Sequence, residues 1–139
     1  MAENISTYLE EKWLNMLKGT AYTAPAAVYC GIASDTATDA EMEAGTLTNE
    51  ITGYTGNRPA ITLGAVSQVG GKATVNNSAN IDFLVMPAPA GRQVKYAIVS
   101  DAATLGNILY WCPLTALKTW NAGDTFRFPA TTGLTLDLG

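Results

Sequence analysis

The chain predicts a mainly β domain, an antiparallel β-sandwich or distorted barrel with one N-terminal α-helix. Three observations carry that prediction. Apolar residues recur at helical intervals only near the start, the period falls to two from Thr20 onward, and glycine and proline breakers then punctuate the chain at short intervals. At 139 residues there is room for one domain spanning 1–139 and not for a second. A chain of this size buries roughly two thirds of the surface its unfolded form exposes, enough for a core.

The helix is expected over 3–18. Leu9, Trp13, Met16 and Leu17 fall on one face, while Glu10, Glu11, Asn15 and Lys18 occupy the rest. Thr7 and Glu10 have capping-box spacing, a start at Asn4 or Ser6 being equally open, and Gly19 closes the helix. Such a stripe packs on the domain's own sheet or serves a partner, and in an oligomer it does both.

The β-domain is expected over 20–139, with strands at 26–33, 58–63, 73–75, 80–85, 94–100, 108–113, 125–129 and 134–138. Gly70-Gly71, Gly106-Asn107 and Gly123-Asp124 mark tight turns, since each pair supplies the positive φ such turns demand. Pro87 and Pro89 end the strand before them because proline cannot donate to a ladder. The segment 34–56 reads as a long surface loop with a short helical turn at 39–43. Its carboxylates lack the spacing of a calcium loop, so a solvated acidic segment is expected and no metal.

Composition narrows the chemistry. The chain has no histidine, which removes Ser-His-Asp and Cys-His pairs and histidine-ligated zinc. A net charge of -4 with scattered Lys and Arg argues against nucleic-acid binding. The acidic start without an apolar run predicts no secretory signal, and no stretch of about 18 apolar residues predicts a membrane span. Synthesis in a cytosol then makes Cys30 and Cys112 free thiols, and their apolar surroundings make them core residues. Asp82, Asp101 and Asp124 form no acid-plus-nucleophile motif, and Gly70-Gly71-Lys72 lacks the spacing of a phosphate loop. We therefore expect neither an enzyme nor a cofactor.

Binding is the more credible activity. Only 14% of residues are charged, and Tyr and Trp are plentiful for a core this small. Tyr110 and Trp111 are adjacent, so in a strand one ring faces away from the sandwich, toward the helix, a neighbouring subunit or a sugar. Leu9, Trp13, Tyr22, Tyr54, Trp111 and Trp120 are the candidate interface residues.

The segment from Tyr8 to Pro25, with Leu14-Asn15 and Gly19-Thr20-Ala21-Tyr22-Thr23-Ala24-Pro25, resembles the opening of a family of small tailed-bacteriophage virion proteins often labelled tail-fibre-like. Ala26 to Ile32 resembles that family's first strand. Asn107-Ile108-Leu109-Tyr110-Trp111-Cys112-Pro113-Leu114-Thr115 and Ala122-Gly123-Asp124-Thr125-Phe126-Arg127-Phe128-Pro129-Ala130 resemble its closing blocks. The sequence departs at Gly56, where the family places a tyrosine two residues before Arg58, and at Cys30 and Cys112, where it places aliphatic or small residues.

The resemblance implies a virion structural protein assembled in the host cytoplasm. Its size suits a capsid decoration (cement) protein, bound to the major capsid protein and to copies of itself and stabilising the assembled head. The alternative is a tail fibre or baseplate accessory protein that contacts other tail proteins or a host-surface glycan through Tyr54, Trp111 or Trp120.

Overall fold

The structure, a computed structural model, describes residues 4–52, 57–86 and 92–138. Tyr54, Pro87 and Pro89 lie outside the described residues. In chain order the elements are β1 (Asn4–Ile5), α1 (Thr7–Leu17), β2 (Val28–Ser34), α2 (Asp39–Glu43), β3 (Ala60–Ile61), β4 (Ser67–Val69), β5 (Lys72–Asn76), β6 (Ile81–Phe83), β7 (Arg92–Ser100), β8 (Ile108–Trp120), β9 (Phe126–Phe128) and β10 (Thr135–Leu138). They form a five-stranded sheet in the order β1-β8-β7-β2-β3, a three-stranded sheet β10-β5-β4 and a two-stranded sheet β6-β9, all antiparallel. The fold is the expected mainly β architecture with an N-terminal helix, and the sheets do not close into a barrel.

Alternation along β2, β7 and β8 splits the large sheet's side chains between two buried faces. Cys30, Ile32, Ala97, Val99 and Cys112 meet Ile81, Phe83, Phe128 and Leu136 of the smaller sheets, which makes the sandwich core. Phe83, Trp120, Phe126 and Phe128 meet there mostly edge to face, with ring centroids 5.3–6.3 Å apart. The opposite face carries Ala33, Tyr96, Ile98, Ile108 and Trp111, packed against Ala37, Met42 and Leu47.

Two irregularities set these faces. A shift between Val94 and Tyr96 turns Val94 into the sandwich although Tyr96 points away from it. There Tyr96 pairs with Pro113 and Val94 with Lys118, so 114–117 of β8 bulge opposite Lys95. The strand expected to stop at 113 therefore runs on to Trp120: β1 pairs with β8 only at Tyr110 and Trp111, so at Pro113 only the β7 side of β8 carries a ladder and the proline is tolerated as on an edge strand. A second shift, between Val99 and Ser100, puts Tyr110 and Ile108 on different faces.

The helix begins later than its expected start at 3. Asn4 and Ile5 pair with Trp111 and Tyr110 as an edge strand, and Ser6, not Thr7, is the N-cap. The buried Ser6 hydroxyl donates to the Ile108 carbonyl and accepts from the Leu9 amide, so tertiary contact decides the boundary. The segment 34–56 is expected to be a solvated surface loop; its described part, 34–52, instead covers the sheet. Its short helix α2 forms where expected, capped by Thr38 and Glu41 in a capping box. Met42 and Ile51 are fully buried, and Glu50 bridges to Ala33.

The remaining strands keep the expected order with shorter or longer spans. The Gly70-Gly71 turn has φ of 60° and 82° and joins β4 to β5; β4 itself is not among the expected strands. Of 58–63, only Ala60 and Ile61 are strand, and Arg58 is buried in a polar contact.

Candidate functional site

Helix α1 lies over β8 and presents two unlike faces. Leu9 is buried, Trp13 and Lys12 are half-buried, and Lys12 lies over the Tyr8 ring at 5.0 Å. The outward side carries Leu14, 64% exposed, and Leu17, 85% exposed, beside Glu10, Glu11 and Lys18. Leu17 and the exposed Met16 therefore depart from the packed stripe expected for them; at 3.6 residues per turn Leu17 falls between the Trp13 side and the Leu14 side. After Gly19 the chain turns back on the helix end, where the Thr20 amide donates to the Asn15 carbonyl. Tyr22 is half-buried; its hydroxyl pKa is raised, first by burial and then by the nearby Tyr8 and Asp101.

Two of the three tryptophans proposed as interface residues are taken up inside the chain. Trp111 is 5% exposed; its ring meets Tyr96 edge to face, and its Nε1 donates to Glu43 Oε2 at 3.0 Å. The Glu43 carboxylate also accepts from Thr7 Oγ1, so α1, α2 and β8 converge on one acid. Of the options for the ring facing away from the sandwich, the structure supplies the chain's own helical layer. Trp120 is 1% exposed, and its Nε1 donates to the Asp124 carbonyl at 2.8 Å. Neither offers a ring face to a sugar. Leu9 is likewise buried within the chain, Trp13 and Tyr22 are part-exposed beside α1, and Tyr54 lies outside the described residues.

A buried polar cluster absent from the sequence reading lies over β2, against the loop that joins β7 to β8. Arg58 pairs with both carboxylate oxygens of Glu50, and its Nη1 donates to Ser100 Oγ at 2.9 Å and to the Ala102 carbonyl at 2.8 Å. The Leu105 carbonyl accepts from the same nitrogen, in a loop where Leu105 and Gly106 both have positive φ. Asp101 holds that loop by accepting from the Asn107 amide and side chain. The pair lies over Gly31, where a Cβ would stand 3.0 Å from Glu50 Oε1 and 3.1 Å from Arg58 Nε. A glycine inside an otherwise apolar strand was the available signal that another group approaches closely there.

A second buried polar anchor is Asn77. Its Nδ2 donates to the Ala79 and Pro129 carbonyls, each at 2.9 Å, and its Oδ1 accepts from the Leu134 amide at 3.0 Å. These bonds hold the β5–β6 connection to the β9–β10 connection.

The carboxylates weighed for catalysis are engaged separately. Asp82 on β6 pairs with Arg127 on β9, Asp101 holds its own loop, and Asp124 accepts from the Asn121 amide in the β8–β9 turn. Asp39 accepts from the Tyr96 hydroxyl, whose pKa is raised first by burial and then by that bond. Glu41 is held below the ordinary carboxylate range, chiefly by the Thr38 amide. Among the described residues no group of three or more Cys, Asp or Glu side chains is arranged to hold a metal ion.

Cys30 and Cys112 are buried free thiols. They sit on β2 and β8 with β7 between them, opposite Val99 and Ala97. Two ladder spacings put them about 9 Å apart or more, beyond the roughly 7 Å limit between Cα atoms for a disulfide. Burial raises the Cys30 pKa well above that of a free thiol, and nearby Cys112 adds to the effect.

Beside the three-stranded sheet lies an open apolar groove of about 210 Å³, lined by Leu63, Val66, Val75, Tyr110, Leu136 and Leu138 among others. Among the described residues, exposed large apolar side chains gather on α1 (Leu14, Met16 and Leu17), beside this groove (Leu63, Val66 and Leu138) and after β6 (Leu84 and Val85).

No curated protein matches the chain. A family model described as "Podophage GP4 fiber I protein gp80" matches residues 4–136, from β1 into β10. The match covers nearly the whole chain, both described helices included, and on that basis the chain belongs to this family of phage fibre proteins.

Proposed function

We propose that the protein is a structural subunit of a phage tail fibre or its attachment region, held in the virion by contacts with other virion proteins and with copies of itself, and that it catalyses no reaction. The observation that carries this reading is the family match over 4–136, which covers the fold as a whole and not a detachable motif. The family's description names a fibre, which favours the tail reading over a capsid decoration protein. Engagement of Asp82, Asp101 and Asp124 in local bonds supports a structural role over hydrolysis. Burial of Trp111 and Trp120 turns the reading away from glycan stacking on those rings and toward protein contacts.

Location in the particle tests it. Cryo-electron microscopy of the intact virion is expected to show density for this fold on the tail or its junction with the head. Density repeating over the icosahedral shell would overturn the tail reading in favour of cement. Copy number gives a second check, since hundreds of copies per particle on a quantified gel exclude a fibre.

A further inference from the structure

We infer that the outward face of α1 is a two-fold contact surface for a second copy of this chain, with the two helices antiparallel. The inference concerns contact between copies and stands whether the particle site is tail or head. It starts from the helix's spacing. At 3.6 residues per turn, Leu17 stands about 80° and Leu14 about 140° round the helix from Leu9, with Glu10 between them, and Glu11 and Lys18, seven residues apart, share the next stripe beyond Leu14, opposite Leu9. All four are exposed, and neither Glu11 nor Lys18 takes part in an ion pair among the described residues.

The charge order decides both occupant and direction. A parallel partner helix would set Glu11 against Glu11 and Lys18 against Lys18. An antiparallel copy, related by a two-fold axis near Leu14, sets Glu11 of each chain against Lys18 of the other and brings the two Leu14 side chains together, with Leu17 at the flank. The patch is therefore complementary to itself, which is the requirement of an isologous interface. Two such short helices bury less than the roughly 1,200 Å² of a standard stable interface, so the contact is weak alone and gains strength where copies are held side by side in a particle.

Sedimentation equilibrium of the full chain tests this by charge exchange. The wild type is expected to form a dimer, detectable below about 1 mM. Glu11→Lys and Lys18→Glu each place like charges across the axis twice and are expected to weaken it roughly tenfold, while the double variant E11K/K18E restores it. Circular dichroism melts of all four proteins separate loss of dimer from loss of fold. A wild type that stays monomeric to that concentration overturns the inference. So does a dimer that neither single reversal weakens, or one that the double variant fails to restore.

Discussion

Glu50 and Arg58 close a two-pronged ion pair across the bare Cα of Gly31, inside the protein and against the loop that joins β7 to β8. Burying two charges is costly unless each is fully bonded. Here the guanidinium finds Ser100 and two loop carbonyls besides the acid, so the pair ties the segment after α2 to the end of the sheet.

Removing one partner strands the other. Arg58→Met is expected to cost about 3–5 kcal/mol, and adding Glu50→Gln to recover part of that loss, because an uncompensated buried charge is the larger penalty. Urea unfolding of both variants at neutral pH measures it; equal losses would show that the stranded Glu50 charge is not the penalty.

Gly31→Ala tests the same contact from the sheet side. The new Cβ would meet Glu50 Oε1 at 3.0 Å and Arg58 Nε at 3.1 Å, which forces the pair to shift. The expected loss is about 1–3 kcal/mol, typical of overpacking. Combining G31A with the R58M/E50Q pair should cost less than the sum of the two changes, since the clash is partly removed.

Asn77→Ala leaves two carbonyls and the Leu134 amide without their side-chain partner in a buried place. We expect a loss of about 2–4 kcal/mol, with each orphaned group contributing on the order of 1 kcal/mol or more. Hydrogen exchange at Leu134 gives a site-specific check: its amide should lose protection in the variant beyond what global destabilisation explains.

The thiols make the pH prediction. The Cys30 pKa is raised in the folded state by burial, while in the unfolded chain it stays near the ordinary thiol value of about 8.5. Above that value the unfolded state releases a proton that the folded state retains, so alkaline pH favours unfolding. Stability from this group is fully present below about pH 8.5 and lost as pH rises. Urea midpoints should fall between about pH 8 and 10, and Cys30→Ser should fall less steeply over that range. In the native protein neither thiol should react with a maleimide within minutes, and both should react once unfolded; rapid native labelling would contradict their burial.

How much of this is legible in the sequence depends on how local the cause is. Gly70, Gly71, Gly106 and Gly123 all adopt the positive φ their turns demand, because that requirement lies in two or three residues. The capped turn at 39–43 is legible for the same reason. Strand β4 has no readable alternation because Ser67, Gln68 and Val69 are all exposed. The reach of β8 beyond Pro113 depends on which of its sides another strand covers there. The fate of Trp111 depends on the 34–56 segment, whose buried Ala37, Met42 and Ile51 have no regular spacing and so look like part of a solvated loop. For the interface, the stripe assigned to α1 includes Leu17 on its packed side, and only the helix's seating on β8 shows that Leu14 and Leu17 face outward.

The cap of α1 also ties the start of the chain to its later part in time. Asn4 and Ile5 pair with Trp111 and Tyr110, and Ser6 bonds the Ile108 carbonyl 102 residues away. An eleven-residue helix is marginal on its own in water. On a ribosome, then, α1 is made well before it can be fixed, waiting until β8 has emerged. Its outward leucines reach their final orientation only after β8 is in place, so that surface is ordered late.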